Sequence, residues 1–288
     1  MAKSPSHKFG QTIGNLLEEL TKPPLERFCK ERNLFLDKQG PRPGVRSGKK
    51  VSWQDKYGNS HDLDFVIEQG GQSSNCGKPV AFIEAAWRRY TKHSRNKVQE
   101  IQGAVLPIAE KYAWHNPFIG VVLAGVFTDG SINQLKSLGF NVVYIAYEDI
   151  ITAFRENGIN VEFDETTSDE VFARTIALIE KLKKEQWNTI INRIYRLNEK
   201  EFDTFFSNLE KKLDRLPERI IIIPLHGNKE IFENIESAIA FLNSFNEEEK
   251  SGEFRKYEVI IKYSNGDQID AEFSNKERVQ EFLEYATS

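Results

Sequence analysis

The chain has 288 residues, of which 39% are hydrophobic and 11% aromatic, so it can bury a real core and wholesale disorder is excluded. Its two cysteines, Cys29 and Cys76, have neither the number nor the spacing of a disulfide scaffold or a structural zinc site. No apolar run approaches the roughly 18 residues of a membrane helix. The first residues show no apolar signal region, so we expect a soluble, cytoplasmic protein with no membrane partner.

The net charge of −4 is distributed unevenly along the chain. Residues 1–100 hold 18 Lys or Arg and 11 Asp or Glu, whereas residues 101–288 hold 21 and 32. A basic first third can present a positive face to a phosphate backbone even when the whole protein is acidic. An ordinary mixed surface would give similar counts, so charge alone does not decide between these interpretations.

Hydrophobic periodicity and turn residues divide the first 114 residues into helices, strands and two loops. The predicted elements are a helix at 11–32 broken by Pro23 and Pro24, a basic Gly/Pro loop at 40–50, a hairpin at 51–68 turning at Tyr57-Gly58-Asn59-Ser60, a polar loop at 69–78, a strand at 78–87, and a helix at 88–114 that Pro107 bends or divides.

The rest of the chain continues the same alternation and then changes character near residue 195. The predicted elements are strands at 118–127 and 140–147, helices at 131–139, 148–156 and 168–187, and then a helix at 198–216, a strand at 218–225, a helix at 228–245, an acidic stretch at 246–253, a hairpin at 256–273 around Asn265-Gly266, and a helix at 275–286. We therefore predict an α/β protein with a mixed central sheet flanked by helices (residues 1–192) and a small C-terminal α+β domain (193–288).

Two acidic residues follow apolar segments that predict neighbouring strands. Asp64 lies in the second strand of the hairpin, and Glu84 ends the apolar half of the next strand. Two carboxylates on adjacent strands can share a Mg²⁺ ion, which prefers oxygen ligands and keeps several waters. Asp62 is an alternative to Asp64, because residues i and i+2 share one face of a strand.

Asp64, followed 20 residues later by Glu84-Ala85-Ala86 within the order helix, three strands, helix, strand, resembles the PD-(D/E)XK nuclease superfamily. Type II restriction endonucleases are its largest group. The resemblance covers about residues 11–150, and the segment WRRYTKHSRNKVQEIQ is similar to the Arg-rich helix that follows the active-site strand in several of those enzymes.

The resemblance implies a restriction-endonuclease-like core and a Mg²⁺-dependent endonuclease, with Mn²⁺ as a possible substitute, that hydrolyses double-stranded DNA as a homodimer. Asp64 and Glu84 would be metal ligands, and Glu18 matches an additional acidic residue on the first helix of many such nucleases, with Glu19 as its alternative. The C-terminal domain would supply dimer contacts, DNA specificity, or both. No GxGxxG or GxxxxGK[ST] motif is present, so we expect no nucleotide cofactor.

The Lys of the family motif is absent, since position 86 is Ala. Arg88 shares a strand face with Glu84 and could take its place, although Arg is a poor base. Lys92 or Lys97 could instead reach in from the following helix. If Ala86 is an inactivating change, the protein is a non-catalytic DNA-binding protein on a nuclease-like scaffold. A structure-selective repair nuclease, or an α/β protein with incidental acidic residues, completes the alternatives.

Basic and polar residues near the predicted site are candidates for contacts with DNA phosphates or bases. Three of them share one helical face at i, i+3 and i+7, and four lie in the Gly/Pro loop. The full candidate set is Arg42, Arg46, Lys49, Lys50, Arg89, Lys92, His93, Arg95 and Gln99. A solvated charged face and a mobile loop would show the same residue types.

Overall fold

The structure, a computed structural model, describes residues 4–224, 229–246, 254 and 256–287. In chain order the first elements are α1 (Pro5–Glu31), β1 (Phe35–Lys38), β2 (Val51–Gln54), β3 (Ser60–Leu63), β4 (Phe65–Gln69), β5 (Lys78–Arg88), α2 (Thr91–Lys111), β6 (Phe118–Gly125), α3 (Asp129–Ser137), β7 (Asn141–Ala146), α4 (Tyr147–Arg155), α5 (Asp169–Ile179), α6 (Lys184–Leu197) and α7 (Glu199–Leu213). The remaining elements are β8 (Pro217–Pro224), β9 (Glu230–Phe232), α8 (Ile235–Ser244), β10 (Tyr257–Tyr263), β11 (Gln268–Phe273) and α9 (Lys276–Thr287).

A mixed sheet lies at the centre of the first part of the chain, with the described strands in the order β1-β4-β5-β6-β7. Strands β1, β4 and β5 pair antiparallel, whereas β5, β6 and β7 pair parallel. Helix α2 connects β5 to its parallel neighbour β6, and α1, α3 and α4 also pack against these strands. Helices on a parallel sheet bury its strands, which explains the continuous apolar sequences of β6 and β7. The predicted α/β class with a mixed, helix-flanked sheet is confirmed.

The predicted hairpin at 51–68 is only partly correct. Strands β2 and β3 form a separate two-stranded sheet around the expected turn, where Gly58 has a φ of +86°. The chain then bends at Asp64, which lies between strands rather than within one, and β4 joins the central sheet. The chain leaves the hairpin at this point because the apolar residues of β4 are buried on both faces of the central sheet. The sequence interpretation also missed β1, a strand of four residues.

The prolines do not divide the two helices that contain them. Helix α1 continues through Pro23 and Pro24, and α2 continues through Pro107. In α1, the buried residues Leu20 and Leu25 lie on either side of the proline pair and hold the helix against the core. Tertiary packing therefore outweighs the hydrogen bonds that the prolines cannot donate.

Two of the predicted helices differ from those in the structure. The segment 168–187 belongs to two helices, α5 and α6. The segment 228–245 begins with β9, which pairs with β8. Helix α8 starts only after Asn234, whose side chain accepts a hydrogen bond from the Ser237 amide as an N-cap. Most of the acidic stretch 246–253 lies outside the described residues.

The described chain separates into two compact units. The first contains residues up to Lys111 together with Phe118–Asn208, and the second contains Tyr112–Pro117 together with residues from Leu209 onward. Our sequence-based boundary at 192/193 falls earlier, within α6, which packs on α1 and α4 of the first unit.

The second unit has its own antiparallel sheet, in the order β11-β10-β8-β9. Its core includes the fully buried Tyr257 and Phe282. The predicted hairpin turn is confirmed at Asn265-Gly266, where Gly266 has a φ of +88°. Among the described residues, no helix combines the length and apolar composition needed to cross a lipid bilayer.

A buried arginine ties the loop at 40–50 to the central sheet. Arg42 Nη1 lies 2.8 Å from Asp37 Oδ2 of β1 and 2.5 Å from Glu68 Oε1 of β4, and all three residues are at most 3% exposed. The guanidinium also donates to the carbonyl oxygens of Gln72 and Asn75 in the β4–β5 loop. Arg42 therefore links the loop at 40–50 to β1, β4 and the β4–β5 loop.

These contacts correct the expectation that Arg42 and Arg46 bind DNA. Arg42 has its guanidinium directed into the protein, and Arg46 Nη1 lies 2.6 Å from Asp37 Oδ2. Arg46 also donates to the carbonyl oxygens of Lys38 and Gly40. Both arginines stabilise the loop, because carboxylates buried in this way need paired cations.

We expect Arg42→Ala to lower the free energy of unfolding by about 3–5 kcal/mol, since it leaves two buried carboxylates without their main partner. Urea denaturation measures this change. Lys49→Ala, at an exposed position of the same loop, is the matched control and should change the free energy by less than about 0.5 kcal/mol. Equal stability of the two variants would show that the network contributes little.

Candidate functional site

Asp64 and Glu84 are brought together by the pairing of β4 with β5. Residue Phe65 pairs with Ile83, so the bend at Asp64 falls beside Glu84 on the neighbouring strand. The Asp64 amide donates to Glu84 Oε1 (3.2 Å), and the Ala85 amide donates to Asp64 Oδ2 (2.7 Å). Each carboxylate therefore accepts a backbone hydrogen bond from the other's segment, which holds both side chains in place.

Burial raises the pKa of both carboxyl groups. Glu84 is only 7% exposed, and burial followed by the nearby charge of Asp64 raises its pKa to about 8. Burial also raises the pKa of Asp64, although the hydrogen bond from Ala85 and the charge of Lys97 oppose the shift. Two adjacent, desolvated carboxylates disfavour a double negative charge unless a cation lies between or beside them.

Lys97 supplies positive charge to this pair from α2. Its ammonium lowers the pKa of both Asp64 and Glu84, against the larger effect of burial. Among the described residues, no Lys, Arg or His forms a direct ion pair with either carboxylate. Lys97 Nζ instead lies 3.5 Å from Glu100 Oε2, one helical turn away. Of the considered replacements whose side chains the structure describes, Arg88 and Lys97, only Lys97 carries charge that lowers the pKa of both carboxyl groups.

The structure distinguishes Glu18 from Glu19 on α1. The pKa of Glu18 is raised by burial and then by the charges of Asp64 and Glu19, which places Glu18 near the pair. Glu19 is exposed, and its Oε2 accepts a hydrogen bond from Trp187 Nε1 (2.6 Å).

Asp62 occupies a different environment from Asp64. It is exposed and accepts hydrogen bonds from Lys50 Nζ and from Ser52 Oγ (2.6 Å) across the β2–β3 hairpin. The bond from Lys50 is the main reason that its pKa is lowered. Asp64, rather than Asp62, therefore faces Glu84.

The donor set can be compared with the needs of a divalent cation. Within the described part of the chain, no three His, Cys, Asp or Glu side chains converge closely enough to hold a metal ion. Asp64 and Glu84 alone offer two hard oxygen ligands that lack an ion-pair partner. This fits Mg²⁺, which is usually bound through one or two carboxylates and completes its shell with water. Glu18 does not complete a three-residue metal cluster with this pair, although the charge of Asp64 contributes to its raised pKa.

Arg88 is directed away from the carboxylate pair. Its Nη1 donates to the Trp87 carbonyl oxygen (2.8 Å), and its Nη2 lies 3.6 Å from Glu100 Oε2. Burial lowers its pKa, and the charge of Glu100 opposes that shift. The alternation argument places Arg88 on the strand face of Glu84, but it could not show that Glu100 contacts the Arg88 guanidinium.

Glu100 is the residue that the sequence analysis missed. It contacts both Arg88 and Lys97 and so links the end of β5 to α2. Its spacing of three residues from Lys97 on a predicted helix was the available signal.

The remaining candidates for DNA contact differ in exposure. Lys49, Lys50, Arg95 and Gln99 are exposed, and Arg89 is half-buried. The side chains of Lys92 and His93 lie outside the described residues, so the predicted face shared by Lys92, Arg95 and Gln99 stays a prediction.

Comparison with known proteins does not identify a family. No protein-family model matches the chain, and no curated protein matches it at a significant level. One solved structure, described as the crystal structure of a protein of unknown function, AF1548, aligns with 67% of this chain and 99% of its own at 10% identity and a TM-score of 0.30. A similarity this low does not establish a shared fold.

The raised pKa of Glu84 predicts a pH-dependent stability. The folded state keeps a proton that the unfolded state releases above about pH 4.5, the ordinary value for Glu. Without divalent metal, the stability due to this proton is therefore complete below about pH 4.5 and lost as the pH rises through about 8. We expect the free energy of unfolding of Glu84→Gln to exceed that of the native protein by roughly 1–4 kcal/mol, with the difference growing between pH 5 and pH 8. Urea denaturation in EDTA measures the difference.

The control for this measurement is Glu165→Gln, which removes an exposed carboxylate from the same unit. The free energy of unfolding of this variant should change with pH in the same way as that of the native protein. If native protein and Glu84→Gln had parallel profiles, the Glu84 carboxyl would not be desolvated as described.

Proposed function

We propose that the protein is a Mg²⁺-dependent DNA endonuclease of the PD-(D/E)XK type, most similar in design to type II restriction endonucleases and acting as a homodimer on double-stranded DNA. The observation that carries this proposal is the convergence of Asp64 and Glu84 beside Lys97. The order of α1, an antiparallel set of strands, α2 and the parallel strand β6 also supports it.

Asp64 and Glu84 would hold the metal ion through their carboxylate oxygens. When bound, Mg²⁺ would stabilise charge on the phosphodiester and lower the pKa of a water molecule. The carboxylates are already fixed by the Asp64 and Ala85 amides, so little reorganisation is needed to bind a cation. Mn²⁺ has similar oxygen-ligand preferences and is expected to substitute.

Lys97 would take the role that the family resemblance assigns to the motif Lys, which is replaced here by the buried Ala86. Its ammonium favours the ionised form of both carboxyl groups, against the larger effect of burial, and can stabilise negative charge on the phosphate during hydrolysis. Glu100 limits the positions available to this flexible side chain through their contact.

A non-catalytic DNA-binding protein is the second candidate, and Ala86 favours it. Because position 86 of β5 is Ala rather than Lys, the chain depends on Lys97 of α2 for the basic group that we find beside the carboxylates within the described residues. Both candidates share a basic DNA-binding surface, for which Lys49, Lys50 and Arg95 are the exposed residues. They differ in whether metal produces cleavage.

Incubation with plasmid or phage DNA and Mg²⁺ or Mn²⁺ separates the candidates. We expect discrete fragments on a gel, with Asp64→Asn and Glu84→Gln reducing cleavage to background and Lys97→Ala reducing it by about 10²–10³-fold. Asp62→Asn and Glu19→Gln remove the neighbouring carboxylates and should cut like the native protein. A smear would indicate a non-specific or structure-selective nuclease.

A mobility shift without cleavage under every metal condition would favour the non-catalytic candidate. Normal cutting by Asp64→Asn would exclude the proposed site altogether.

DNA binding should also depend strongly on salt. If the protein contacts 6–10 phosphates, affinity is expected to fall by about 10³–10⁵-fold between roughly 50 and 200 mM salt, because bound cations are released. Fluorescence anisotropy with the Asp64→Asn variant in EDTA measures this without cleavage. Binding that does not change with salt would argue against a phosphate-contacting surface.

A further inference from the structure

A cleft at the end of β5, the strand that carries Glu84, has the chemistry of an anion site. It has a volume of about 440 Å³ and is lined by the end of β5, the start of α1 and part of α2. Arg88 and Arg89 contribute two guanidinium groups to its wall, and Trp87 and Tyr90 contribute aromatic rings. The only carboxylate among the described lining residues is Glu100.

Arg89 packs against two aromatic rings at this cleft and has no anionic partner within the described residues. Its Cζ lies 4.4 Å from the ring centroids of both Tyr90 and Phe172, and Nη2 donates to Ser6 Oγ (3.3 Å). Its Nε is buried and has no hydrogen-bond partner within the described residues. No Asp or Glu of the described chain forms an ion pair with it. A half-buried guanidinium with a buried, unsatisfied Nε donor is unusual and favours an anion that the cleft can admit.

Neighbouring elements reinforce this positive potential. Helix α1 begins at the cleft with Ser4 as its N-cap, and the positive end of a long helix dipole favours anions. The Tyr90 hydroxyl donates to the Asp164 carbonyl oxygen (2.8 Å), which fixes the ring beneath Arg89. Within the described residues, the carboxylate contact of Arg88 is the one to Glu100, at 3.6 Å.

We propose that this cleft, defined by Arg88, Arg89 and the start of α1, binds a phosphate group of the nucleic-acid strand that enters the Asp64–Glu84 site. Arg88 follows Glu84 by four residues on the same strand, so the two positions lie about 13 Å apart. A phosphate there belongs to the same strand a few nucleotides from the scissile bond. The identity of the ligand rests on the proposed function, whereas phosphate binding itself does not require cleavage.

The first test measures binding of inorganic phosphate to the native full-length protein in EDTA, by calorimetry. We expect Arg89→Ala to weaken binding by about 10-fold or more, since it removes a charged donor. Arg174→Ala is the matched control, because Arg174 is an exposed arginine on α5 outside the cleft, and it should bind like the native protein. Equal affinities of the two variants, or no binding by the native protein, would overturn the proposal.

A second pair of variants guards against misfolding of Arg89→Ala. Gly10 lines the cleft, and a Cβ atom added there meets no other atom within 4 Å. Gly10→Asp introduces a negative charge without removing any packing and should also reduce phosphate affinity by about 10-fold or more. Gly10→Ala should retain it. If Gly10→Asp binds phosphate as tightly as Gly10→Ala, the site is not in this cleft.

Oligonucleotides then identify the source of the phosphate. A 5′-phosphorylated strand that binds more tightly than its 5′-hydroxyl form, with the difference lost in Arg89→Ala, supports a terminal phosphate. Equal binding of both strands that weakens in Arg89→Ala supports an internal phosphodiester. Because these measurements contain no metal, they succeed or fail independently of nuclease activity, and oligonucleotide binding unaffected by Arg89→Ala would overturn the assignment.

Discussion

The antiparallel pairing of β4 with β5 is the constraint on which the candidate site depends. Its register aligns Phe65 with Ile83, and so places the bend at Asp64 beside Glu84. The pair is held by two backbone hydrogen bonds that cross between the strands. Burial makes this arrangement costly, as the raised pKa of Glu84 indicates. A site with this cost in the metal-free state is suited to a divalent cation, because cation binding would offset the repulsion between the carboxylates.

Positive charge reaches this site from a helix rather than from the strand. The strand position two residues after Glu84 is occupied by the buried Ala86, and Lys97 approaches from α2 instead. Glu100 connects this lysine to Arg88, so the basic groups on β5 and α2 form one connected set. In the proposed nuclease, a basic group supplied by a neighbouring helix would take the place of the motif Lys on the strand.

The end of the sheet beyond the carboxylates shows a different use of charge. Arg42 lies in a basic loop whose composition is typical of a DNA-binding segment, yet its guanidinium joins Asp37 and Glu68 inside the protein. The partners come from β1 and β4, which are separated from the loop in sequence but adjacent in the sheet. Composition shows how many charged residues a segment carries. Whether their side chains point into the protein or toward solvent depends on where the fold places acidic partners.

The sequence by itself determined the α/β class, the buried strands near residues 118–127 and 140–147, and the candidacy of Asp64, Glu84 and Lys97, because apolar periodicity and an acidic residue after an apolar run are local signals. Only the tertiary structure decided between alternative residues and fixed the boundaries of the elements. It placed Asp64 rather than Asp62 beside Glu84, buried part of Glu18 while leaving Glu19 exposed, ended the 51–68 hairpin before Asp64, and continued α1 through its prolines. These outcomes depend on burial and on contacts with residues that are distant in sequence. Two neighbouring acidic residues look alike in the sequence, and they differ only once the fold buries one of them against another element.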